Sequence, residues 1–305
     1  MQTADTPGRI HSHRVSPGRS DGRFVQTLSE LPVAPLRKTG HAGGMPDIPP
    51  IENTATSRAS AATRRSDSSD HGNALLSGKH IIVTGATGGI GQSLVARLTD
   101  LGARVSATGT SHQRLNQLRA VAPSIFIQAA DITSETDVAA FYSAAHEQFG
   151  DVDAVVNLAG VSIPGAIAET DVETFKRVMD VNVLGTFLSC KHAISRLREM
   201  DAQIVNVGSM AGTRPNPTAP LYCTAKAAVA MLTDALALQL KDRRVRVTNL
   251  TPGGADTPFW GDRPVNRSAL LASDDVVDTL VFVLSRPDHV MVHDIRFEST
   301  GRERS

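Results

Sequence analysis

The chain is poor in aromatic residues and has no excess charge of either sign. Only two tyrosines and one tryptophan occur among its 305 residues. Lysine and arginine together number 31, and so do aspartate and glutamate, so there is no overall attraction to a phosphate backbone or to an anionic membrane. This balance argues against nucleic acid and against a membrane surface as partners.

Cysteine is also scarce. Cys190 and Cys223 are too few for a disulfide framework and lack the paired spacing of a zinc site. We therefore expect two ordinary buried thiols, a reducing compartment and no metal. No apolar run is expected to reach the roughly 20 residues that span a bilayer, and no secretory signal is recognisable. The sequence thus predicts a soluble, cytoplasmic protein.

Residues 1–76 differ in composition from the rest of the chain. They hold seven of the 16 prolines and show no sustained apolar period of two or 3.6 residues. Segments such as SRASAATRRSDSSDHGN bury too little apolar area to offset the loss of chain entropy. A disordered extension is therefore predicted here. A start codon placed too far upstream, with Met45 as a later candidate, is the alternative explanation.

From Lys79 onward, short apolar runs alternate with longer amphipathic stretches, as in repeated βα units. Strands are predicted at 80–84, 104–108, 125–129, 153–157, 203–207, 245–250 and 291–297. Helices are predicted near 89–100, 112–120, 135–149, 171–199, 222–241 and 274–285. The pattern indicates an α/β, doubly wound Rossmann fold with a seven-stranded parallel sheet, forming a single domain over residues 77–300 before a tail at 301–305.

The first predicted strand ends in the glycine-rich segment TGATGGIG, residues 84–91. Gly85, Gly89 and Gly91 allow the backbone to approach a pyrophosphate, and the helix that follows supplies N–H donors. The strand before and the helix after are the context that such a motif requires. A P-loop is excluded because the segment lacks GK[ST].

Other strand ends carry residues suited to a dinucleotide, because ligands of open α/β sheets bind there. Asp131 can accept a hydrogen bond from an adenine amino group. Asn157 is followed closely by the small residues Ala159 and Gly160. Each of these could also be a cap or turn residue, but together with the glycine turn they indicate one crevice.

The end of the second strand bears on the choice of cofactor. An acidic residue there would bind the ribose 2′-hydroxyl of NAD and repel the 2′-phosphate of NADP. This chain has Gly109, Thr110 and Ser111 instead. NADP(H) is therefore favoured and NAD(H) remains possible, because Arg114 lies a turn into the helix and Gly88 replaces the usual basic residue of the glycine loop.

Tyr222 stands four residues before Lys226, on one face of the predicted helix. The ammonium group is expected to lower the pKa of the phenol, which could then exchange a proton with a substrate oxygen. Ser209 follows the fifth strand and could polarise a carbonyl. Asn182 could hold a water that relays protons to Lys226. Each residue alone is more often structural; their order along the chain favours a catalytic group.

These motifs resemble the short-chain dehydrogenases/reductases of the compact kind over about residues 78–298. The segments that carry the resemblance are TGATGGIG, DI at 131–132, NLAG at 157–160, Asn182, VGSMAG, YCTAK at 222–226 and TPGGADTPF at 251–259. The resemblance implies a catalytic tetrad of Asn182, Ser209, Tyr222 and Lys226. It also implies cofactor contacts from Gly85, Thr87, Gly88, Gly89, Ile90, Gly91, Thr110, Ser111, Asp131, Ile132, Asn157, Ala159, Gly160, Tyr222, Lys226, Pro252, Gly253, Ala255 and Thr257.

The glycine segment is most similar to 3-oxoacyl-(acyl carrier protein) reductases, which use NADPH. The chain departs from those reductases at two places. It has CTAK where the family usually has a serine before the lysine, and its C-terminus lacks their Gly-Gly segment. A general carbonyl reductase or alcohol dehydrogenase is therefore an equally open assignment. The family implies a homodimer or homotetramer through apolar helices. Substrate selection is expected from 162–170, 213–220 and the region of Phe259, Trp260 and Leu270, with Trp260 either a lid or a packing residue.

Two other functions are compatible with the fold. A catalytically silent nucleotide sensor would be expected to lack the tyrosine or the lysine, and this chain has both. A sugar-nucleotide epimerase or dehydratase needs a larger C-terminal substrate domain than the short segment that follows TPGG. The sequence therefore favours hydride transfer between a nicotinamide and a ketone or secondary alcohol, without a metal.

Overall fold

The structure, a computed structural model, describes residues 76–302. Its strands are β1 His80–Thr84, β2 Arg104–Gly109, β3 Phe126–Ala129, β4 Ala154–Asn157, β5 Gln203–Val207, β6 Arg246–Pro252 and β7 Asp294–Phe297. Its α-helices are α1 Gly89–Asp100, α2 His112–Val121, α3 Glu135–Phe149, α4 Val172–Met179, α5 Gly185–Ile194, α6 Pro220–Gln239 and α7 Ser273–Leu284. A π-helical segment, Asp180–Leu184, joins α4 to α5.

The seven strands form one sheet in the order β3-β2-β1-β4-β5-β6-β7, and every neighbouring pair is parallel. The predicted doubly wound sheet is thus confirmed. The chain moves outward in one direction from β1 to β3 and in the other from β4 to β7. The point where the order reverses lies between β1 and β4, which is where such sheets bind ligands.

Alternation along the strands builds a core on each face of the sheet. Ile81 and Val83 point to the side covered by α1, α2 and α7, whereas Ile82 points to the side covered by α3, α5 and α6. All three side chains are fully buried. Each such burial stabilises the fold by about 1.5–3 kcal/mol before the entropic cost, so the sheet is a rigid support for its loops.

Some predicted boundaries were wrong. The helix predicted over 171–199 consists of α4, the π segment and α5, and it ends at Ile194. Residues 291–293 do not belong to β7, which begins at Asp294. Residues 1–75, for which disorder was predicted, and 303–305 lie outside the described residues. Leu76 is 1% exposed and belongs to the core, so the ordered domain begins before residue 77.

Helix α6 corrects the expectation about apolar runs. With 20 residues and a mean hydropathy of 1.4, it is long and apolar enough to cross a membrane by length and composition alone. In the fold it buries one face, which includes Ala225, Lys226 and Val229. Met231 and Leu238 on its other side are 69% and 78% exposed.

Candidate active site

The glycine turn after β1 is packed too closely to accommodate side chains. Gly85 has φ +65°, and a Cβ built on it would lie 2.6 Å from the backbone nitrogen of Ala159. A Cβ on Gly91 would lie 2.5 Å from the carbonyl oxygen of Gly85. The loops after β1 and β4 are therefore in contact at the reversal of the strand order, as expected of a dinucleotide crevice.

The first turn of α1 faces this crevice without a competing carboxylate. Gly88 caps the helix in an extended conformation with no side-chain hydrogen bond, and no acidic residue occurs in the first turn. Backbone N–H groups at such an end favour an anion. Ile90 is half-buried and packs against the core.

The segment that bears on cofactor choice lies next to the glycine turn. A Cβ on Gly109 would lie 2.6 Å from Oγ1 of Thr87, so the two loops are in contact. Thr110 is exposed, whereas the Ser111 hydroxyl caps α2 by accepting a hydrogen bond from the Arg114 N–H at 3.3 Å. The end of β2 thus presents a hydroxyl and a helix N-terminus rather than a carboxylate.

Asp131 and Ile132 follow β3 and have different surroundings. Asp131 accepts hydrogen bonds from the N–H and the hydroxyl of Thr133 at 2.9 and 2.8 Å, and these bonds lower the pKa of the carboxyl. Ile132 is 8% exposed and packs against Gly185 at the start of α5. The side chain of Ile132 belongs to the core, and only its backbone is placed to reach a ligand.

Asn157 has a role that its motif did not reveal. Its Nδ2 donates to Oδ1 of Asn206 at 2.8 Å, and its Oδ1 accepts from the Ser189 hydroxyl at 2.5 Å. Ser189 also contacts the Tyr142 hydroxyl at 2.6 Å, and all four side chains are buried. The side chain of Asn157 joins β4 to β5 and to the helices beneath, where its polar atoms are satisfied, and the contact of this residue with a cofactor stays a prediction.

The loop after β6 approaches the glycine turn from the other side. Thr257 packs directly on Gly89, where an added Cβ would lie 2.8 Å from the threonine Cβ. Pro252 ends β6, and Gly253 packs equally tightly against Glu298 beyond β7. Ala255 is buried, and its carbonyl accepts a hydrogen bond from the Trp260 indole at 2.8 Å. Of the two roles considered for Trp260, the contacts show packing that holds this loop.

Ser209 and Tyr222 meet at the mouth of the crevice. Ser209 follows β5 and caps the short 3₁₀ turn Met210–Gly212 by accepting from the Ala211 N–H at 3.1 Å. Tyr222 lies in the first turn of α6, which begins at Pro220, and its phenol is close enough to the Ser209 side chain for that side chain to lower the pKa of the phenol. A carbonyl oxygen placed between the two hydroxyls would contact both.

Lys226 and Asn182 are the other two residues of the predicted tetrad. The Lys226 ammonium donates to the Val207 carbonyl at 2.8 Å and lies 5.8 Å from the Tyr222 ring centroid. Asn182 donates from Nδ2 to the carbonyls of Val161 and Val178, whereas its buried Oδ1 has no hydrogen-bond partner among the described residues. A Cβ on Gly160 would lie 2.9 Å from this Oδ1 and 3.5 Å from the ammonium. An unsatisfied acceptor so near the lysine suits a bridging water.

The electrostatics differ from the expectation that Lys226 lowers the pKa of the phenol. Burial raises the pKa of Tyr222 to about 12, and the Ser209 hydrogen bond and the Arg263 charge oppose this effect only in part. Burial lowers the pKa of Lys226 to about 8. In this site it is therefore the lysine whose ionisation is brought close to neutral pH.

Sequence reasoning missed Arg263, and it treated Cys223 as a buried thiol although it is half-buried. The Arg263 guanidinium stacks over Phe259 and Trp260, and the Phe259 ring lies 5.8 Å from that of Tyr222. A basic residue three positions after the aromatic pair in FWGDR was the available signal.

The residues of the crevice fit a nicotinamide dinucleotide. Gly85 and Gly91 leave no room for side chains beside the uncapped helix N-terminus, and Lys226 and Asn182 direct polar atoms to the far end. This arrangement has an anion-binding end and a proton-transfer end, as a redox dinucleotide requires.

Comparisons with known proteins agree with this geometry. The family model described as short chain dehydrogenase matches residues 79–267. The chain is 33% identical over 229 residues to an uncharacterized oxidoreductase of Staphylococcus saprophyticus, a match covering 72% of this chain and 97% of the relative. An oxidoreductase of Staphylococcus epidermidis is 31% identical over 219 residues, covering 71% of this chain and 95% of the relative.

Solved structures show the same fold. An alcohol dehydrogenase from Thermococcus sibiricus, complexed with 5-hydroxy-NADP, superposes with a TM-score of 0.69 at 26% identity, covering 74% of this chain and 99% of that one. A short-chain dehydrogenase/reductase from Serratia marcescens gives 0.68 at 25%, covering 73% and 97%. On the strength of the family match, the relatives and the site, the chain belongs to the short-chain dehydrogenase/reductase family of NAD(P)-dependent oxidoreductases.

Proposed function

We propose that the protein is an NADP(H)-dependent carbonyl reductase that interconverts a ketone and a secondary alcohol. The observation that carries the proposal is the meeting of Ser209, Tyr222 and Lys226 with the unsatisfied Oδ1 of Asn182, next to the glycine turn. These groups come from three different elements, the turn after β5, the π segment and α6, so their convergence is a property of the fold rather than of one helix.

The proposed roles follow from the position of each group. Ser209 holds the carbonyl oxygen and stabilises the negative charge that develops on it. Tyr222, with a pKa of about 12, is protonated at neutral pH and gives its proton to that oxygen. Lys226 and a water on Asn182 then return a proton to the phenol. The bound nicotinamide supplies or accepts the hydride.

The preference for NADP(H) is supported by the end of β2. Thr110 and the N-terminus of α2 stand where a carboxylate would select NAD, and Arg114 lies in the first turn of that helix. One solved relative carries an NADP derivative. Fluorescence titration is expected to give tighter binding of NADPH than of NADH, and equal affinities would contradict this preference.

The substrate class is proposed at the level of a ketone. The similarity of the glycine segment to 3-oxoacyl-(acyl carrier protein) reductases makes a 3-oxoacyl thioester one member of the test panel. Simple and aromatic ketones are the others. Oxidation of NADPH by one class and not by the others would assign the substrate class within this proposal.

The substitution Tyr222→Phe tests the proposal directly. It removes the proton donor but keeps the ring that packs near Phe259, so turnover is expected to fall by about 10³-fold or more while NADPH affinity changes little. Both are measured by following NADPH, as absorbance during turnover and as fluorescence during binding. A variant that keeps substantial activity would contradict the assignment. If the wild-type protein binds NADPH but reduces none of the ketones tested, that result would favour the sensor alternative.

We also propose a cytoplasmic homodimer or homotetramer assembled through the helices on one side of the sheet. Large apolar side chains are exposed along α4, the π segment, α5 and α6, more than is usual for a surface that stays in water. They are Val172, Phe175, Leu184, Phe187, Met231 and Leu238. Light scattering at micromolar concentration is the test, and a monomer would remove this proposal.

A further inference from the structure

Arg263 places a positive charge one aromatic ring away from the proposed proton donor. Its guanidinium lies 5.1 Å from the centroid of Phe259 and 4.9 Å from that of Trp260. The Phe259 ring lies in turn 5.8 Å from the Tyr222 ring. A cation over aromatic faces at these distances is held favourably.

The guanidinium is fixed by its own loop and keeps donors available. Its Nε donates to the Trp260 carbonyl at 2.8 Å, and Nη2 donates to the Phe259 carbonyl. These bonds use the edge of the guanidinium that faces the backbone. Within residues 76–302, Nη1 makes no hydrogen bond and Arg263 has no carboxylate within 4 Å.

The other arginines near this mouth are already paired. Arg214, which follows Ser209, forms an ion pair with Glu298. Arg267 contacts Asp256 at 3.1 Å. Arg263 is half-buried, and it differs from both because it forms no ion pair with a carboxylate of the described residues. A charge held in such a place interacts strongly with a ligand of opposite sign.

We propose that Arg263 binds a carboxylate of the substrate, so that the protein prefers oxo acids to neutral ketones. The planar fork of a guanidinium matches a carboxylate in two parallel hydrogen bonds, and Phe259 provides an apolar surface for the carbons between the carboxylate and the carbonyl. This inference rests on the proposed function and deepens it, since the reacting carbonyl is the one held by Ser209 and Tyr222.

A matched pair of substrates tests the inference. The value of kcat/KM is measured for 4-oxopentanoate and for its methyl ester, which carries the same ketone without the charge. Wild-type protein is expected to favour the acid. Arg263→Gln is expected to lower the acid-to-ester ratio by about tenfold to a hundredfold, mostly through KM for the acid. Arg263→Lys keeps the charge but loses the planar guanidinium, so its acid-to-ester ratio should lie between those of the wild type and Arg263→Gln.

The control is Arg286→Gln. Arg286 stacks over Phe282 at 4.1 Å and donates to the carbonyl of that residue, so its local contacts match those of Arg263. It follows α7 and lies near the start of β6, at the sheet edge opposite the site. This control should leave the ratio unchanged. A wild-type ratio near one, or an Arg263→Gln variant with an unchanged ratio, would overturn the inference while leaving the carbonyl reductase proposal intact.

A binding measurement tests the carboxylate site at Arg263 separately from the proposed carbonyl reductase activity. Calorimetry with 4-oxopentanoate is done on the NADP-saturated Tyr222→Phe protein, with and without Arg263→Gln. Weaker binding after loss of the arginine supports the carboxylate site even if no ketone is turned over. Equal binding in both proteins rejects it whatever the turnover. Failure of the wild type to reduce any ketone, 4-oxopentanoate included, would instead reject the proposed function.

Discussion

At the scale of single residues, the most unusual group in the site is the lysine. Lys226 is 6% exposed and has the Val207 carbonyl as its hydrogen-bond acceptor. Burial penalises the ammonium form and lowers the pKa of this group to about 8. An unfolded lysine has a pKa of about 10.4. Below pH 8 the lysine is therefore protonated in both the folded and the unfolded protein, and the buried charge lowers the free energy of unfolding by its full amount. This cost is relieved as the pH rises from 8 to about 10.4.

Lys226→Met is therefore expected to inactivate the enzyme and to stabilise it. Turnover should fall by about 10²-fold to 10⁴-fold, because no ammonium remains to return protons to Tyr222. The free energy of unfolding at pH 7 should rise by an amount on the order of 1 to 3 kcal/mol. Urea unfolding measures the second effect. Lys241→Met, at an exposed lysine just beyond the same helix, is the control and should change neither quantity.

The pattern of residues predicted this group but not its electrostatics. Spacing of four placed Tyr222 and Lys226 on one face of a helix, and both lie on α6 as predicted. The direction of the pKa of the phenol was predicted wrongly because it depends on burial, which is set by Phe259 and its neighbours from a distant segment. Asn157 shows the same limit, since its partners Ser189 and Asn206 are remote in sequence.

At the scale of elements, the position of Ser209 depends on a contact between a short turn and a helix. The 3₁₀ turn Met210–Gly212 packs directly on α6 at Gly212. A Cβ on this glycine would lie 2.8 Å from the carbonyl carbon and 2.9 Å from the carbonyl oxygen of Lys226. Helix backbone does not yield to such a contact, so an added methyl group would push the turn away.

Gly212→Ala is accordingly expected to separate Ser209 from Tyr222. A shift of this kind should lower kcat by about tenfold to a hundredfold, while NADPH affinity stays close to wild type because an added Cβ on Gly212 would meet the backbone of α6 and not the glycine turn after β1. Steady-state kinetics with NADPH titration measures both. If kcat is unchanged and only the melting temperature falls, the turn does not position the serine.

The π segment is the element that the sequence could not reveal. A single helix was predicted over 171–199, because apolar spacing differs little between an α-turn and a π-turn. The structure widens the helix at Asp180–Leu184, and Asn182 stands in that segment with a buried Oδ1 that has no partner among the described residues. The motif predicted a role for Asn182, but it did not predict the backbone conformation around that residue.

At the scale of the whole molecule, the edge of the sheet opposite the site contains a buried histidine. His80 begins β1, is fully buried, and contacts the Gly150 carbonyl at 3.0 Å and the Ser106 hydroxyl at 2.9 Å. Burial lowers the pKa of this imidazole, with a smaller contribution from Arg104, while hydrogen bonds to the backbone of Gly150 and Asp151 and the charge of Asp153 oppose the shift.

Stability is therefore expected to fall on acidification. Below the ordinary histidine pKa of about 6.5, the unfolded chain takes up a proton that the folded chain resists, so the folded state loses stability until its own lower pKa is reached. His80→Gln should flatten the decrease in melting temperature between pH 7.5 and 5. His289→Gln, at an exposed histidine, should not. An unchanged slope in the His80 variant would show that other groups cause the acid response.

The sequence alone determined the fold class, and it predicted the location of the nucleotide crevice and the residues of the tetrad. These follow from local rules: β-branched apolar strands, a glycine turn between strand and helix, and a spacing of four on a helix. The tertiary structure decided what depends on distant segments. It placed Asn157 in a buried network, raised the pKa of Tyr222, lowered that of Lys226 and set Arg263 one aromatic ring away from the phenol. Burial and charge act through space, between residues that the linear pattern does not connect.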